Sequence, residues 1–187
     1  MNDLKLHDFC LIIDNFLPDT ICDNIITLFE NNSNYHQRFD NNKTPNFTQL
    51  NFTQHNSLDT KLHIELTKYM IEAVKAYIKH VPETSFWSPG FSYEQLRIKK
   101  YDNNNIDQFD SHIDAANSDT CKRFLAFFWY LNDVTKGGET EFLNIDVKVQ
   151  PKKGKLVMFP PTWMYPHKGY SPISNKKYLL SSYLHFS

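Results

Sequence analysis

The sequence predicts a mainly β domain supported by α-helices, and three observations indicate this fold class. Fifteen Phe and ten Tyr stand against five Gly in 187 residues, which is typical of an aromatic-lined β structure. Two amphipathic segments lie in the first half of the chain. From residue 91 onward, short β-forming runs alternate with turns, as in an antiparallel sandwich or barrel. We therefore expect one domain over residues 1–187, with helical support in about 1–90 and the β core in about 91–187.

The first helix is predicted to follow a short buried strand at residues 9–13. Its start is indicated by Leu17–Thr20, with Asp19 or Thr20 as the cap. Apolar residues then recur at i, i+4, i+7 and i+8 on one helical face: Ile21, Ile25, Leu28 and Phe29. The Asn-rich run at 31–34 ends this helix.

A second helix is predicted from about Asp59 to Lys79, on the strength of a long apolar stripe. The residues of this stripe are Leu62, Leu66, Tyr69, Met70, Ala73, Val74, Tyr77 and Ile78. Core packing is the interpretation we give it. The polar stretch 31–57 between the helices is either a plain loop or a set of short strands around a flap. Within it, residues 40–57 together with the 103–107 loop are our prediction for the segment facing the substrate.

Six strands are predicted in the second half of the chain. They are Tyr93–Tyr101, Phe109–Ile113, Arg123–Leu131, Val147–Val149, Lys155–Phe159 and Tyr178–Phe186. Turn residues separate them at 102–105, 136–138 and 151–154. No internal repeat and no second domain is indicated.

Charge, cysteine content and hydropathy exclude several classes of function. The formal net charge is −1, so no global basic field favours nucleic acid. Cys10, Cys22 and Cys121 show no CxxC spacing, which argues against a disulfide framework. The start of the chain lacks the pattern of a signal peptide, and no stretch approaches the roughly 20 apolar residues of a membrane span. We expect a cytoplasmic protein without a membrane partner; the sequence leaves its oligomeric state open.

A His-x-Asp pair, His112 and Asp114, is the first indication of chemistry. Residues i and i+2 of a strand point to the same side, so both side chains can enter one space. With His167 they form a set of two histidines and one carboxylate, which suits non-haem Fe(II) because it leaves coordination positions open. Lys177, ten residues after His167, would supply a cation near the metal. Taken alone, the His-x-Asp pair is a weak signal.

Further motifs follow in a fixed order. After the His-x-Asp pair come RFLAFFWY-LN at 123–132, GGETEF at 137–142 and KGKLVMF at 153–159, then His167 and Lys177. In this order and spacing, residues 93–186 strongly resemble the 2-oxoglutarate- and Fe(II)-dependent dioxygenases of the prolyl 4-hydroxylase-like branch. The N-terminal part fits that family only loosely, as its supporting helices.

The resemblance implies a double-stranded β-helix, or jelly-roll, core packed by two N-terminal helices. It implies His112, Asp114 and His167 as the catalytic iron ligands. It also implies that Lys177 pairs with the distal carboxylate of 2-oxoglutarate, helped by Tyr130 and Tyr101. The cofactors it implies are Fe(II), 2-oxoglutarate and O2 as co-substrates, and ascorbate as a reductant. A buried dicarboxylate needs such a cation and hydroxyl donors to offset its desolvation.

Several departures from the family pattern leave the substrate open. The loop before His112 reads DNNN at 102–105 where the family often has Gly-Gly, Phe109 stands where Tyr is common, and Ala126 where Thr is common. Trp163 and Tyr165, close to His167, either shape the substrate entrance or are surface-loop aromatics.

The leading functional hypothesis is hydroxylation of a peptidyl residue, most simply proline. The same chemistry on a free amino acid or other small molecule is the alternative. A nucleic-acid demethylase is disfavoured because paired arginines near the last strand are missing, and Lys177 and Ser181-Ser182 stand there instead. A catalytically silent metal-binding barrel is disfavoured because it would have no use for Lys177.

Overall fold

Two antiparallel β-sheets and two α-helices make up the computed structural model, which describes residues 5–40 and 45–187. The helices are α1 (Asp19–Asn31) and α2 (Thr60–His80). The strands are β1 (Leu11–Ile13), β2 (Gln37–Asp40), β3 (Asn46–Asn51), β4 (Phe91–Tyr93), β5 (Arg97–Tyr101), β6 (Phe109–His112), β7 (Arg123–Tyr130), β8 (Thr140–Phe142), β9 (Val147–Val149), β10 (Leu156–Phe159), β11 (His167–Gly169) and β12 (Lys177–Phe186). This architecture confirms the predicted mainly β fold class with supporting helices.

The larger sheet has the strand order β1-β10-β7-β12-β5-β3-β2, and β4 pairs with the far end of β12. Ten-residue β12 lies between β7 and β5 and is buried along most of its length. Strands β1, β2 and β3 precede residue 91, so the helical half of the chain also extends this sheet. The described part of the polar stretch 31–57 therefore contains short strands, one of the two alternatives that its sequence allowed.

The smaller sheet has the order β6-β11-β8-β9 and lies against the larger one. Between the two sheets, Phe142 and Val149 of the smaller sheet belong to one buried cluster with Tyr130 and Phe159 of the larger sheet. This shared interior is where alternate residues of both sheets project.

The helices cover the outer face of the larger sheet. Asp59 caps α2 by accepting a hydrogen bond from the amide of Leu62 at 2.9 Å. The predicted cap of α1 was wrong: the helix begins at Asp19, after Pro18, and no side chain caps it. Ile78 of the predicted apolar stripe is 45% exposed, because it lies about 100° around the helix from buried Tyr77.

One predicted strand, Tyr93–Tyr101, is in fact two. Strand β4 pairs with residues 184–186 of β12, whereas β5 pairs with residues 177–181. Residues 94–96 bridge that gap, and Glu94 turns its side chain to Arg123 with an oxygen–nitrogen distance of 2.6 Å. The three cysteines are free, as expected. No helix in the described part of the chain is long and apolar enough to cross a membrane.

Candidate active site

Three side chains meet where the ends of two neighbouring strands come together. His112 ends β6, Asp114 follows two residues later, and His167 begins β11 directly opposite His112. Each of the three residues offers one ligand atom, and these atoms all lie within 4.8 Å of one another. Nε2 of His112 is 3.6 Å from Oδ1 of Asp114, and Nε2 of His167 is 3.5 Å from Oδ2 of Asp114. The structure thus brings together the predicted set of two histidines and one carboxylate.

Backbone carbonyls orient both imidazole rings. Nδ1 of His112 is 2.7 Å from the carbonyl oxygen of Asp110, and Nδ1 of His167 is 3.1 Å from that of Tyr165. A proton on each Nδ1 leaves the Nε2 lone pairs facing Asp114, the arrangement in which a histidine binds metal. Phe109 stacks on the His112 ring at 3.5 Å between centroids and fixes its plane. The donor set therefore fits Fe(II), which favours two imidazoles and one carboxylate on one face.

Asp114 is ionised in this environment. Burial by itself would raise the pKa of its carboxyl, but the neighbouring His112, His167 and Lys99 outweigh burial and hold the pKa well below its usual range. Burial lowers the pKa of His167. A carboxylate beside a neutral imidazole is the protonation state that a metal ion requires.

Tyr183 and Arg123 support Asp114 from the larger sheet, and the sequence did not single out Tyr183. The Tyr183 hydroxyl donates to Oδ1 of Asp114 at 3.0 Å. The Arg123 guanidinium stacks over the Tyr183 ring at 4.0 Å, donates to the backbone carbonyl of Asp114 at 3.0 Å and pairs with Glu94. Burial and the charge of Asp114 raise the pKa of Tyr183, so it remains a donor. The only sign of this residue in the sequence was strand alternation, which places Tyr183 on the same face of the last strand as Lys177.

A cavity of about 550 Å³, counting its open mouth, begins at these three residues and runs between the sheets. Lys177, which is 1% exposed, lines the same cavity. Its Nζ donates to the carbonyl oxygens of Gly138 at 3.0 Å and Tyr170 at 3.2 Å. Among the described residues, no carboxylate forms an ion pair with it. Burial lowers the pKa of Lys177 to about 7, against a small opposing effect of Glu139.

A buried cation in the wall of a cavity fits the distal carboxylate of 2-oxoglutarate. Burying an unpaired charge is costly unless an opposite charge joins it. The co-substrate would bring that charge, while its 2-oxo acid end would face the histidine–aspartate cluster. The residues present thus fit both expected groups, Fe(II) and 2-oxoglutarate.

The two predicted tyrosines occupy different places. The Tyr101 ring lines the cavity, and Nζ of Lys177 lies 4.4 Å from its centroid. Tyr130 is fully buried, and its hydroxyl donates to Oγ1 of Thr140 at 2.7 Å. Thr140 is on β8 and lines the cavity in front of Tyr130. Tyr101 therefore faces the co-substrate position directly, and Tyr130 lies behind Thr140.

A second lysine, Lys99, also lines the cavity and was not singled out by the sequence. It lies on β5, two residues before Tyr101, and it is partly exposed. Burial lowers its pKa to about 8, although the charge of Asp114 opposes this effect. Its only possible sign in the sequence was the alternation that places it on the same face as Tyr101.

Other residues weighed from the sequence lie away from the cavity. Lys176 precedes β12, and its Nζ is 3.7 Å from Oδ1 of Asp102. Trp163 is 74% exposed. Tyr165 is buried, and its hydroxyl donates to the carbonyl oxygen of Leu6 at 2.8 Å, which gives this side chain a structural contact.

Comparisons with known proteins agree with this geometry. Residues 96–185 match the family model described as the 2OG-Fe(II) oxygenase superfamily. A viral collagen prolyl hydroxylase from Paramecium bursaria Chlorella virus 1, solved as a 2OG complex, is similar with a TM-score of 0.73 at 19% identity, covering 96% of this chain and 97% of that one. A prolyl hydroxylase from Trichoplax adhaerens, in complex with a peptide fragment of the hypoxia inducible factor oxygen degradation domain, has a TM-score of 0.72 at 18% identity, covering 96% and 84%.

A prolyl-4-hydroxylase from Pseudomonas putida has a TM-score of 0.66 at 16% identity, covering 96% of this chain and 93% of that one. At these identities the likeness shows the fold, and it confirms the double-stranded β-helix expected from the motifs. No curated protein sequence is a significant match.

Proposed function

We propose that this chain, whose residues 96–185 match the 2OG-Fe(II) oxygenase family model, hydroxylates a peptidyl residue, most simply proline. One observation supports this most directly. The His112–Asp114–His167 cluster and the enclosed cation of Lys177 line the same cavity. The structural neighbours are prolyl hydroxylases, and one of them is seen with a peptide fragment.

In this proposal His112, Asp114 and His167 hold the metal, and Lys177, which lies beside the Tyr101 ring, holds the distal carboxylate. When bound, Fe(II) and 2-oxoglutarate supply O2 activation with release of CO2 and succinate, for hydroxylation of an unactivated C–H bond. The remaining residues position and shield the reactants. Apolar Phe109, Phe159 and Leu179 line the cavity and exclude water from it.

A free amino acid or other small molecule is the second candidate substrate. The observation that favours it is the second cavity lysine, Lys99, because a cation inside the cavity suits a substrate that brings its own carboxylate close to the reacting carbon. A silent metal-binding barrel would bury Lys177 at a cost in stability without any return. The net charge of −1 disfavours nucleic acid as a substrate.

The test is to purify the protein without oxygen, supply Fe(II), and then measure succinate formed from 2-oxoglutarate in air. Proline-containing peptides and free L-proline are added one at a time, and the products are weighed by mass spectrometry. We expect succinate formation that rises with an accepted substrate, which gains one oxygen atom. If 2-oxoglutarate neither binds nor yields succinate, with or without a second substrate, the oxygenase proposal is overturned.

A further inference from the structure

Strand β5 presents two adjacent lysines to two different environments. Lys99 and Tyr101 project into the cavity, whereas Ile98 is buried among the helices on the other face. Lys100 also projects to that face, where its Nζ is 3.4 Å from Glu30 and 5.6 Å from the centroid of the Phe29 ring. The two lysines are thus neighbours in the sequence, but their side chains lie on opposite faces of β5.

The other cations near the cavity have acceptors. Arg97 and Arg123 both pair with Glu94, and Lys177 donates to two carbonyls. Within residues 5–40 and 45–187, the side-chain ammonium of Lys99 has neither a hydrogen-bond acceptor nor an ion-pair partner. Its Nζ lies 5.2 Å from the centroid of the Phe47 ring. A partly enclosed ammonium without an acceptor has lost hydration, and the charge of Asp114 offsets this loss only in part.

We propose that Lys99 binds a carboxylate of the prime substrate, so that the enzyme selects an anionic substrate. This inference rests on the proposed function and adds the chemical class of the substrate to it. An ammonium that faces the cavity next to an apolar aromatic wall favours a carboxylate partner, because a charge-assisted hydrogen bond is strengthened where water is excluded.

The position of Lys99 separates it from the co-substrate. In the pairing register, Lys177 is opposite Tyr101, whereas Lys99 is opposite Leu179, about 7 Å further along the strands. Lys177 is 1% exposed, but Lys99 is partly exposed and contacts Phe47 of the β2–β3 hairpin. The two carboxylates of 2-oxoglutarate are already matched by Lys177 and by the metal. A third anionic group is therefore what Lys99 can accept.

Two sources could provide this carboxylate, namely an acidic side chain beside the hydroxylated residue of a peptide and the α-carboxylate of a free amino acid. The shared chemistry is an anion next to the reacting carbon. Three pairs of probes distinguish the sources. Blocked tetrapeptides carry Asp after or before a proline, each beside an Asn isostere, and free L-proline is compared with L-prolinamide.

Binding is measured by calorimetry without oxygen on the protein loaded with Fe(II) and 2-oxoglutarate. In the unmodified protein we expect the acid of at least one pair to bind roughly tenfold tighter than its amide. In Lys99→Met this preference should fall to about twofold or less. Lys100→Met, the matched control on the other face of β5, should keep the preference.

Each other result contradicts the inference. The absence of any acid preference in the unmodified protein, or its persistence in Lys99→Met, would overturn it. So would a Lys99→Met variant that loses 2-oxoglutarate affinity while its acid preference is unchanged, because Lys99 would then serve the co-substrate. Failure of the proposed function is visible separately, as missing succinate from the unmodified protein in air.

Discussion

The two sheets provide different parts of the site. The smaller sheet holds the metal donors His112 and His167, which face each other across one strand pair. The larger sheet holds Lys99 and Lys177, the two lysines that we propose bind carboxylates. A metal centre needs only a few atoms at one point, and two strands of three and four residues suffice for it. Recognition of an extended dicarboxylate needs groups at several depths, and long, buried β12 and its neighbour β5 supply that depth.

Burial on both faces explains why the larger sheet can hold its cations in place. Alternate residues of β12, from Lys177 to Tyr183, line the cavity, and Tyr178, Leu180 and Leu184 pack beneath the helices. A sheet packed on both sides tolerates little movement. The smaller sheet has only its inner face in the core and depends on the stacking of Phe109 and on backbone carbonyls to orient its histidines.

The largest effect is expected from removing one of the proposed metal ligands. Asp114→Ala should lower Fe(II)-dependent succinate formation by about 1000-fold or more while the fold is kept, because the variant removes the one anionic ligand. Circular dichroism and succinate release measure the two quantities. Asp119→Ala, an exposed acid in the same loop, is the control and should retain activity. Substantial turnover by Asp114→Ala would remove Asp114 from the proposed ligand set.

A change at Lys177 should separate the effect on the co-substrate from the effect on the metal. In Lys177→Met we expect KM for 2-oxoglutarate to rise on the order of 100-fold, because a buried carboxylate would lose its charge partner, while Fe(II) affinity changes little. Lys176→Met serves as the control because Lys176 faces away. Equal losses of iron and 2-oxoglutarate affinity would contradict this division between the sheets.

The sequence predicted the metal end better than the carboxylate end, for a physical reason. His112, Asp114 and His167 are residue types with few other uses in such an order, and strand alternation puts the first two on one side. Lys99 and Tyr183 are ordinary strand residues, and their importance arises from contacts with distant segments. Tyr183, for example, bonds to a residue 69 positions away. Pairing register across sheets cannot be derived from one sequence.

Lys177 also lowers the stability of the folded chain, because its charge is buried before any co-substrate binds. Its pKa is about 7 in the folded chain against an ordinary 10.5. Below pH 7 the lysine is charged in both states and the full cost applies. Between these two values the unfolded chain holds more protons, so the stability of the unmodified protein rises with pH.

Without metal and 2-oxoglutarate, Lys177→Met should therefore be more stable than the unmodified protein by a few kcal/mol at about pH 6.5, with a smaller advantage at about pH 9.5. Urea unfolding at the two pH values measures the difference. Lys61→Met on the exposed face of α2 should show no such pH-dependent gain. A pH-independent difference would mean that the pKa of Lys177 in the folded chain is close to its ordinary value, as for a charge that is paired or hydrated there.

The smallest effect is expected where the two sheets meet, at the hydrogen bond from Tyr183 to Asp114. Tyr183→Phe keeps the ring that stacks on Arg123 and removes only the hydroxyl, so Asp114 loses one of the groups that orient it. A hydrogen bond to a charged group contributes roughly 1.5–3 kcal/mol, and groups that support metal ligands change metal affinity by about 10–100-fold. We expect a loss of Fe(II) affinity at the low end of that range, since the Arg123 contact to the Asp114 carbonyl remains.

Tyr93→Phe on neighbouring β4 is the matched control, because the Tyr93 hydroxyl has no hydrogen bond within the described residues. Fe(II) titration without oxygen decides the matter: unchanged affinity in Tyr183→Phe would show that the smaller sheet positions Asp114 without help from the larger one.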